Sequence, residues 1–342
     1  MEFTDIKAPE PAAGIPPWQD PAWVAEAEDW IAAGCARAGL ARTGPALARG
    51  RPYSVVARVP TSGGAVWFKA SPPPARFEPA LVDALATWLP DQFPPPVAVD
   101  QDRAWSLTRD GGPTLRQARA RAGDLSAWHA MLRGYAQLQF VLARHWHELL
   151  YFGLPDLRPY SVPRQFEKLL DDPSAARAVD APDGITRGQY RALRALAPRL
   201  RDWCAELDDL AIPVSIDHAD VHPNNVFADT CTPFDWGDAA VSHPFCSLLV
   251  ALRTGAKHAG LPPRSPQLAA LTEDYLRPWL DAGHPRAAVD RSLALGLRIA
   301  PVARALAWGR VFPCYLGHSG PGGHAIGALA AMLRPDPLAP GD

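Results

Sequence analysis

The segment Ile216-Asp217-His218-Ala219-Asp220-Val221-His222-Pro223-Asn224-Asn225-Val226-Phe227, followed shortly by Phe234-Asp235-Trp236-Gly237-Asp238, constrains this chain more than any other. Pro223 lacks an N–H and keeps the residue before it out of helical space, so the polar run forms a compact loop rather than a helix turn. Short apolar stretches on either side, Val214 to Ile216, Val226 to Ala228 and Pro233 to Trp236, read as strands that hold the loop from both ends. Asp220, Asn225 and Asp235 can then converge. Hard oxygen atoms from an amide and a carboxylate suit a divalent cation carrying phosphate, while a further carboxylate can orient a hydroxyl nucleophile. His218 and His222 are four apart, but with no helical face to align them they do not read as a zinc pair: His218 reads as an internal hydrogen-bonding brace and His222 as a loop or phosphate-side residue.

The rest of the chain divides near Arg109-Asp110-Gly111-Gly112-Pro113, where flexible and rigid turn residues occur together. Before it, a proline-rich lead-in at residues 8 to 18 precedes a helix expected over Pro21 to Ala38, with Trp23, Ala27, Trp30 and Ile31 near one face. Strands are expected at Ala46 to Arg49, Ser54 to Val59, Ala65 to Ala70, Val97 to Val99 and Trp105 to Thr108, with one helix from Phe77 to Leu89. That makes residues 1–108 a lead-in helix and a small antiparallel sheet carrying one helix. Residues 109–342 read as mainly helical, with periodic segments at Leu125 to Leu150, Tyr190 to Leu210, Phe245 to Ala251, Ser265 to Ala282, Ala287 to Gly309 and Ala325 to Leu333. Asp171 to Gly188 lacks a clear period and reads as a surface excursion. The fold class is therefore α+β in two lobes.

With 342 residues the chain can bury a core without covalent staples. Its five cysteines are scattered, odd in number and form no CxxC pair, which disfavours a disulfide framework and a structural zinc site and fits a reducing cytoplasm. No basic-then-apolar leader opens the sequence and no run reaches about 18 apolar residues, so neither secretion nor a membrane span is expected. The formal net charge is −2 and the arginines are dispersed, which offers nucleic acid no docking surface. A small-molecule partner is expected, and the sequence does not fix an oligomeric state.

His218-Ala219-Asp220-Val221-His222-Pro223-Asn224-Asn225 resembles the H-G-D-x-H-x-x-N loop of the aminoglycoside phosphotransferase family, whose wider fold relatives include choline kinases and eukaryotic-like protein kinases. The resemblance runs over roughly Leu40 to Leu280 and implies a protein-kinase-like fold, ATP or GTP as phosphoryl donor and Mg²⁺. It places Asp220 at the catalytic position and Asn225 and Asp235 at the metal-binding positions. It also makes Lys69, in Val66-Trp67-Phe68-Lys69-Ala70, the strand lysine that contacts nucleotide phosphates, and Glu78 its helix partner. Gly50 and Ser54 fall where the family turns above the nucleotide, although G-x-G-x-x-G is lacking. Adenine is expected near Trp105 to Arg109, at exposed backbone groups. Two positions depart from the family pattern: Ala219 replaces a glycine, and Ser247 stands where G-D-P-x-x-D-L-A has its second aspartate.

What the resemblance implies is γ-phosphoryl transfer to a hydroxyl of an aminoglycoside-like compound, sugar, amino alcohol or related metabolite. A nucleotide-binding pseudokinase and a metal-dependent hydrolase are the alternatives. An acidic cluster at Asp202, Glu206, Asp208 and Asp209, and a smaller one at Glu273 and Asp274, would favour a polycationic acceptor if they line its pocket. Trp279, Trp308 and Tyr315 could stack on a substrate ring or belong to the core.

Overall fold

Alternating burial along Ser54 to Ala70 sets the first sheet: Val55, Ala57, Val59, Val66 and Phe68 point to one face and are buried there. The structure, a computed structural model, describes residues 1–6, 17–51, 54–119, 121, 123–181, 184–311 and 322–339. The chain forms two compact units, one built on Met1–Gly111 and the other on Gly112–Trp308 with the segment from Gly322 onward.

The first unit contains β1 (Glu2–Ile6), α1 (Pro21–Arg37), β2 (Leu47–Arg51), β3 (Ser54–Thr61), β4 (Gly64–Ala70), α2 (Glu78–Trp88), β5 (Ala98–Asp100) and β6 (Trp105–Arg109). Its strands form a six-stranded sheet in the order β1-β2-β3-β4-β6-β5. Five of these strands overlap those expected from the sequence, and β1 is an addition. It runs parallel to β2, with Arg51 clasping Asp5 at 2.6 Å and the Met1 amino group paired with Glu28 of α1. Only long-range pairing makes Glu2-Phe3-Thr4-Asp5-Ile6 a strand, since its apolar content is too low to signal one. Asp20 caps α1 by accepting from the Ala22 N–H, and Pro21 opens the helix. The helix buries Ala27 and Ile31 against the sheet and sets Trp23 and Trp30 edge-on or tilted to Phe68 and Trp105, at centroid distances of 5.5 to 6.5 Å. Truncating Ile31 to alanine in such a site costs about 2–5 kcal/mol.

The second unit contains α3 (Leu115–Arg119), α4 (Ser126–Leu142), α5 (Trp146–Tyr151), β7 (Asp156–Leu157), α6 (Val162–Asp171), α7 (Pro173–Arg177), α8 (Arg187–Asp209), β8 (Ser215–Asp217), β9 (Ala240–Ser242), α9 (Leu248–Ala259), α10 (Pro266–Asp281), α11 (Arg286–Val311) and α12 (Gly322–Ala330). The long period from Leu125 to Leu150 is divided into α4 and α5 by a 3₁₀ turn at Ala143–His145. The surface excursion after Asp171 carries the short α7, and Thr186 and Gln189 close it with a reciprocal capping box on α8. The three short strands form a second sheet, β7-β9-β8. The strands expected at Val226 to Ala228 and Pro233 to Trp236 reduce to isolated bridges, Val226 with Pro233 and Phe227 with Thr114. Trp128, Tyr135, Phe245, Tyr275 and Trp279 are fully buried, so Trp279 is core and not a stacking platform. Tyr315 lies outside the described residues.

Candidate active site

Inward-facing Tyr135 and Gln139 of α4 fix the strand that launches the catalytic-loop candidate. Gln139 Nε2 donates to the Ile216 carbonyl at 2.6 Å and to Ser247 Oγ at 3.1 Å, and Tyr135 Oη accepts the His218 N–H at 2.9 Å. Asp217, at the end of β8, is buried; its Oδ1 accepts from Ser247 Oγ at 2.6 Å and from the Ala219 N–H at 2.8 Å. Burial pushes the Asp217 carboxyl up, and these hydrogen bonds oppose it. Ala219 has φ of 60°, a left-handed conformation that costs a residue with a Cβ about 1–2 kcal/mol. Its N–H bond to Asp217 helps hold it there.

Beyond that turn, Asp220 is clasped on both oxygens. Arg304 Nη1 lies 3.2 Å from Oδ1, while Asn225 Nδ2 at 3.3 Å and His222 Nε2 at 3.4 Å approach Oδ2. Burial alone would raise its pKa, but the hydrogen bond from His222 and the charge of Arg304 outweigh it and hold the carboxyl below its usual range. Asn225 Nδ2 also donates to the Asp220 carbonyl at 3.1 Å, which leaves Oδ1 of the amide without a hydrogen bond among the described residues. The Asn225 carbonyl accepts the Phe234 N–H at 2.9 Å, so the residue preceding Asp235 is tied directly to the loop. Asp235 itself is exposed and left-handed, φ 65° and ψ 63°, at the start of the 3₁₀ turn Trp236–Asp238. Strained backbone at a polar, exposed position of this sort is typical of functional sites.

His218 bridges the two segments: Nε2 is 2.9 Å from the Phe234 carbonyl, and the ring lies 4.7 Å from that of Trp236. His222 Nδ1 accepts the Asn224 N–H at 3.2 Å. The structure thus gathers His218, Asp220, His222 and Asn225 with the Asp235 segment.

Arg304 of α11 is the residue that sequence reasoning missed. One nitrogen, Nη1, reaches the Ala219 carbonyl at 3.0 Å, Asp220 Oδ1 at 3.2 Å and Asp238 Oδ2 at 3.4 Å. A signal existed, since Arg304 is the single charge in the apolar stretch Ile299 to Trp308. Desolvating a guanidinium there requires partners.

In the first unit, Lys69 on β4 and Glu78 in the first turn of α2 form an ion pair, Nζ to Oε1 2.7 Å. Ser71 Oγ donates to the other carboxylate oxygen at 2.6 Å, and Glu78 is buried. Gly50 is buried within β2, where an added Cβ would come within 2.8 Å of Trp18 Nε1, so a close approach of the indole requires glycine. Ser54 opens β3 opposite Arg51; Pro52 and Tyr53 lie outside the described residues. Trp105 to Leu107 are hydrogen-bonded to both β4 and β5, so the unpaired backbone edge is confined to Thr108 and Arg109. The expected adenine contacts therefore narrow to the end of β6.

The smaller acidic cluster is spent on internal pairs, and in the larger one Glu206 is. Arg291 chelates Glu206 at 2.5 and 2.6 Å, Arg286 holds Glu273, and Asp274 accepts from His129 and Arg133 at 2.6 and 2.9 Å. No helix among the described residues is long and apolar enough to cross a membrane.

No protein-family model matches the chain, and no curated protein matches its sequence. Solved structures do match. A macrolide 2'-phosphotransferase from Brachybacterium faecium is 19% identical over 91% of this chain and 99% of its own, with a TM-score of 0.52. A choline/ethanolamine kinase family protein from Mesorhizobium loti is 15% identical over 91% and 93%, with a TM-score of 0.54. An ethanolamine kinase from Plasmodium vivax is 10% identical over 93% and 90%, with a TM-score of 0.56. The six-stranded sheet with its helices, followed by a larger helical part, is the fold shared with these phosphotransferase and choline/ethanolamine kinase structures.

Proposed function

We propose that the protein is a small-molecule kinase that transfers the γ-phosphoryl group of ATP, with Mg²⁺, to a hydroxyl. One observation carries this reading: Asp220 is held ionised and immobile by Arg304, His222 and Asn225, while Asn225 is itself hydrogen-bonded to the residue before Asp235. Phosphoryl transfer through a loose transition state needs an oriented hydroxyl more than a strong base. A carboxylate with about four lone-pair sites retains capacity for an acceptor O–H after these contacts.

The donor set fits Mg²⁺: the free Oδ1 of Asn225 and the exposed carboxylate of Asp235 are hard oxygens. Bound there, the ion would neutralise phosphate charge as it develops. Lys69, aimed by Glu78, supplies a second cation for the nucleotide phosphates. Asp220 then orients the acceptor and takes its proton late.

The acceptor is a small hydroxylated molecule. Glu206, Glu273 and Asp274 are engaged by arginines and a histidine, so these three add nothing that favours a polycation over a sugar or another alcohol. The test is ATP or GTP consumption against a broad panel of hydroxylated metabolites and antibiotics, with mass detection of the phosphorylated product. Transfer abolished by Asp220→Asn is the expected result. Mg·ATP binding without transfer to any panel member would favour a pseudokinase instead.

A further inference from the structure

We infer that the second unit carries another ligand site, at the end of β8 away from Asp220, which takes a neutral hydroxylated ring such as a sugar. A hollow of about 390 Å³ opens among Trp146, Arg158, Tyr160, Asp208, Pro213 and Val214. That volume falls within the range of about 300–1,000 Å³ typical of small-molecule sites. Val214 enters β8 whereas His218 to Asp220 leave it, so the hollow and the candidate active site are at opposite ends of the strand.

The wall is fixed before any ligand arrives. Arg158 forks onto Asp156, Nε to Oδ1 2.9 Å and Nη2 to Oδ2 2.8 Å, and Ser161 Oγ locks the same carboxylate at 2.8 Å. The guanidinium lies 4.5 Å above the centre of the Trp146 ring. Its Nη1 makes no hydrogen bond among the described residues. Across the hollow, Asp208 also lacks a hydrogen-bond partner among them, which separates it from Glu206 of the same acidic cluster. Partial desolvation, then the neighbouring Asp209, push the Asp208 carboxyl up, and the charge of Arg158 opposes them. Tyr160 stands 81% exposed on the rim.

Charge selects the ligand class. Asp156 neutralises Arg158, and Asp208 repels a compact anion; a polycation would meet the guanidinium. What remains is a donor, an acceptor and an exposed aromatic face, the combination that recognises a ring with hydroxyl edges and apolar faces. Asp208 would accept from one hydroxyl, Arg158 Nη1 would donate to its neighbour, and Tyr160 would cover the ring.

Ligand-observed NMR with neutral mono- and disaccharides and cyclic polyols tests this on the full chain, with glycerol, spermidine and citrate as controls. At least one ring should bind while the controls do not, and Tyr160→Ala and Asp208→Asn should each weaken it about tenfold, about 1.4 kcal/mol. Both side chains are exposed, so neither variant threatens folding. Absence of binding by every ring, equal binding by the controls, or affinity undiminished in Tyr160→Ala would overturn the assignment. The readout uses neither nucleotide nor metal, so it stands or falls independently of phosphoryl transfer.

Discussion

Ser247 Oγ donates to Asp217 Oδ1 at 2.6 Å, and the same oxygen accepts the Ala219 N–H at 2.8 Å. The two departures from the aminoglycoside phosphotransferase pattern, alanine for glycine and serine for aspartate, therefore meet on one buried atom. A carboxylate is still present in this region, but it is carried by β8 instead of by the start of α9. The two positions are thus linked in space although they are far apart in sequence.

Ser247→Ala should destabilise the protein by about 1–3 kcal/mol, because it strips a donor from a buried carboxylate. Asp217→Ala should cost a similar amount by orphaning the Ala219 N–H. The exchange Asp217→Ser with Ser247→Asp should recover part of either loss, since it restores a hydroxyl–carboxylate pair. Urea unfolding of the parent, the two alanine variants and the exchange measures this, and an exchange variant less stable than both alanine variants would count against the pairing.

Arg304→Ala should lower kcat by about 10²-fold, the scale expected when a catalytic group is displaced by about 1 Å, with little change in KM for ATP. Arg304→Lys should recover part of the loss, because all three contacts are made by the one nitrogen Nη1 and an ammonium carries three donors, although on a shorter stem. Steady-state kinetics with an identified acceptor decides it. A change confined to KM for ATP would place Arg304 in nucleotide binding instead.

What the sequence revealed follows the range of each interaction. Asp220, Asn225 and the Asp235 segment were legible because Pro223 and nearby apolar stretches confine them to one local loop. The Lys69 and Glu78 pair was expected only through the family resemblance, and the short connection from strand to helix is what brings the two together. By contrast β1 depends on pairing with β2 across some forty residues, and Arg304 reaches Asp220 from 84 positions away. The bridges that replace two expected strands have a related cause: Val226 pairs with Pro233, but its neighbour Phe227 pairs with the distant Thr114.

His243 should make stability fall as the solution is acidified. It is 1% exposed, and burial pushes its pKa down to about 3, whereas the unfolded chain titrates near 6.5. Above that unfolded value both states are neutral and the full stability is present. Below it the unfolded chain takes up a proton that the folded protein refuses, so this site removes about 1.4 kcal/mol per pH unit until the folded imidazole titrates. His243→Asn retains an acceptor for the Phe245 N–H at the 3₁₀ turn and should flatten the difference between pH 7 and pH 5. Denaturation of both proteins at the two pH values checks the slope, and parallel losses would exclude His243 as its source.

Lys69 and Glu78 should respond unequally to removal. Glu78 is buried and is held by both Lys69 and Ser71, so Lys69→Ala removes the cation from a buried carboxylate and should cost about 1–3 kcal/mol. Glu78→Gln keeps the shape, can still accept from Ser71, and leaves an ammonium that is 18% exposed to water; it should cost less than Lys69→Ala. Nucleotide affinity should show a similar asymmetry, because the lysine supplies charge to phosphate while the glutamate only directs it. Calorimetric titration of Mg·ATP should therefore give near-complete loss in Lys69→Ala and a partial loss in Glu78→Gln. If Lys69→Ala folds and still binds ATP as the parent does, the lysine is a structural partner of α2 and the nucleotide phosphates are held by other groups.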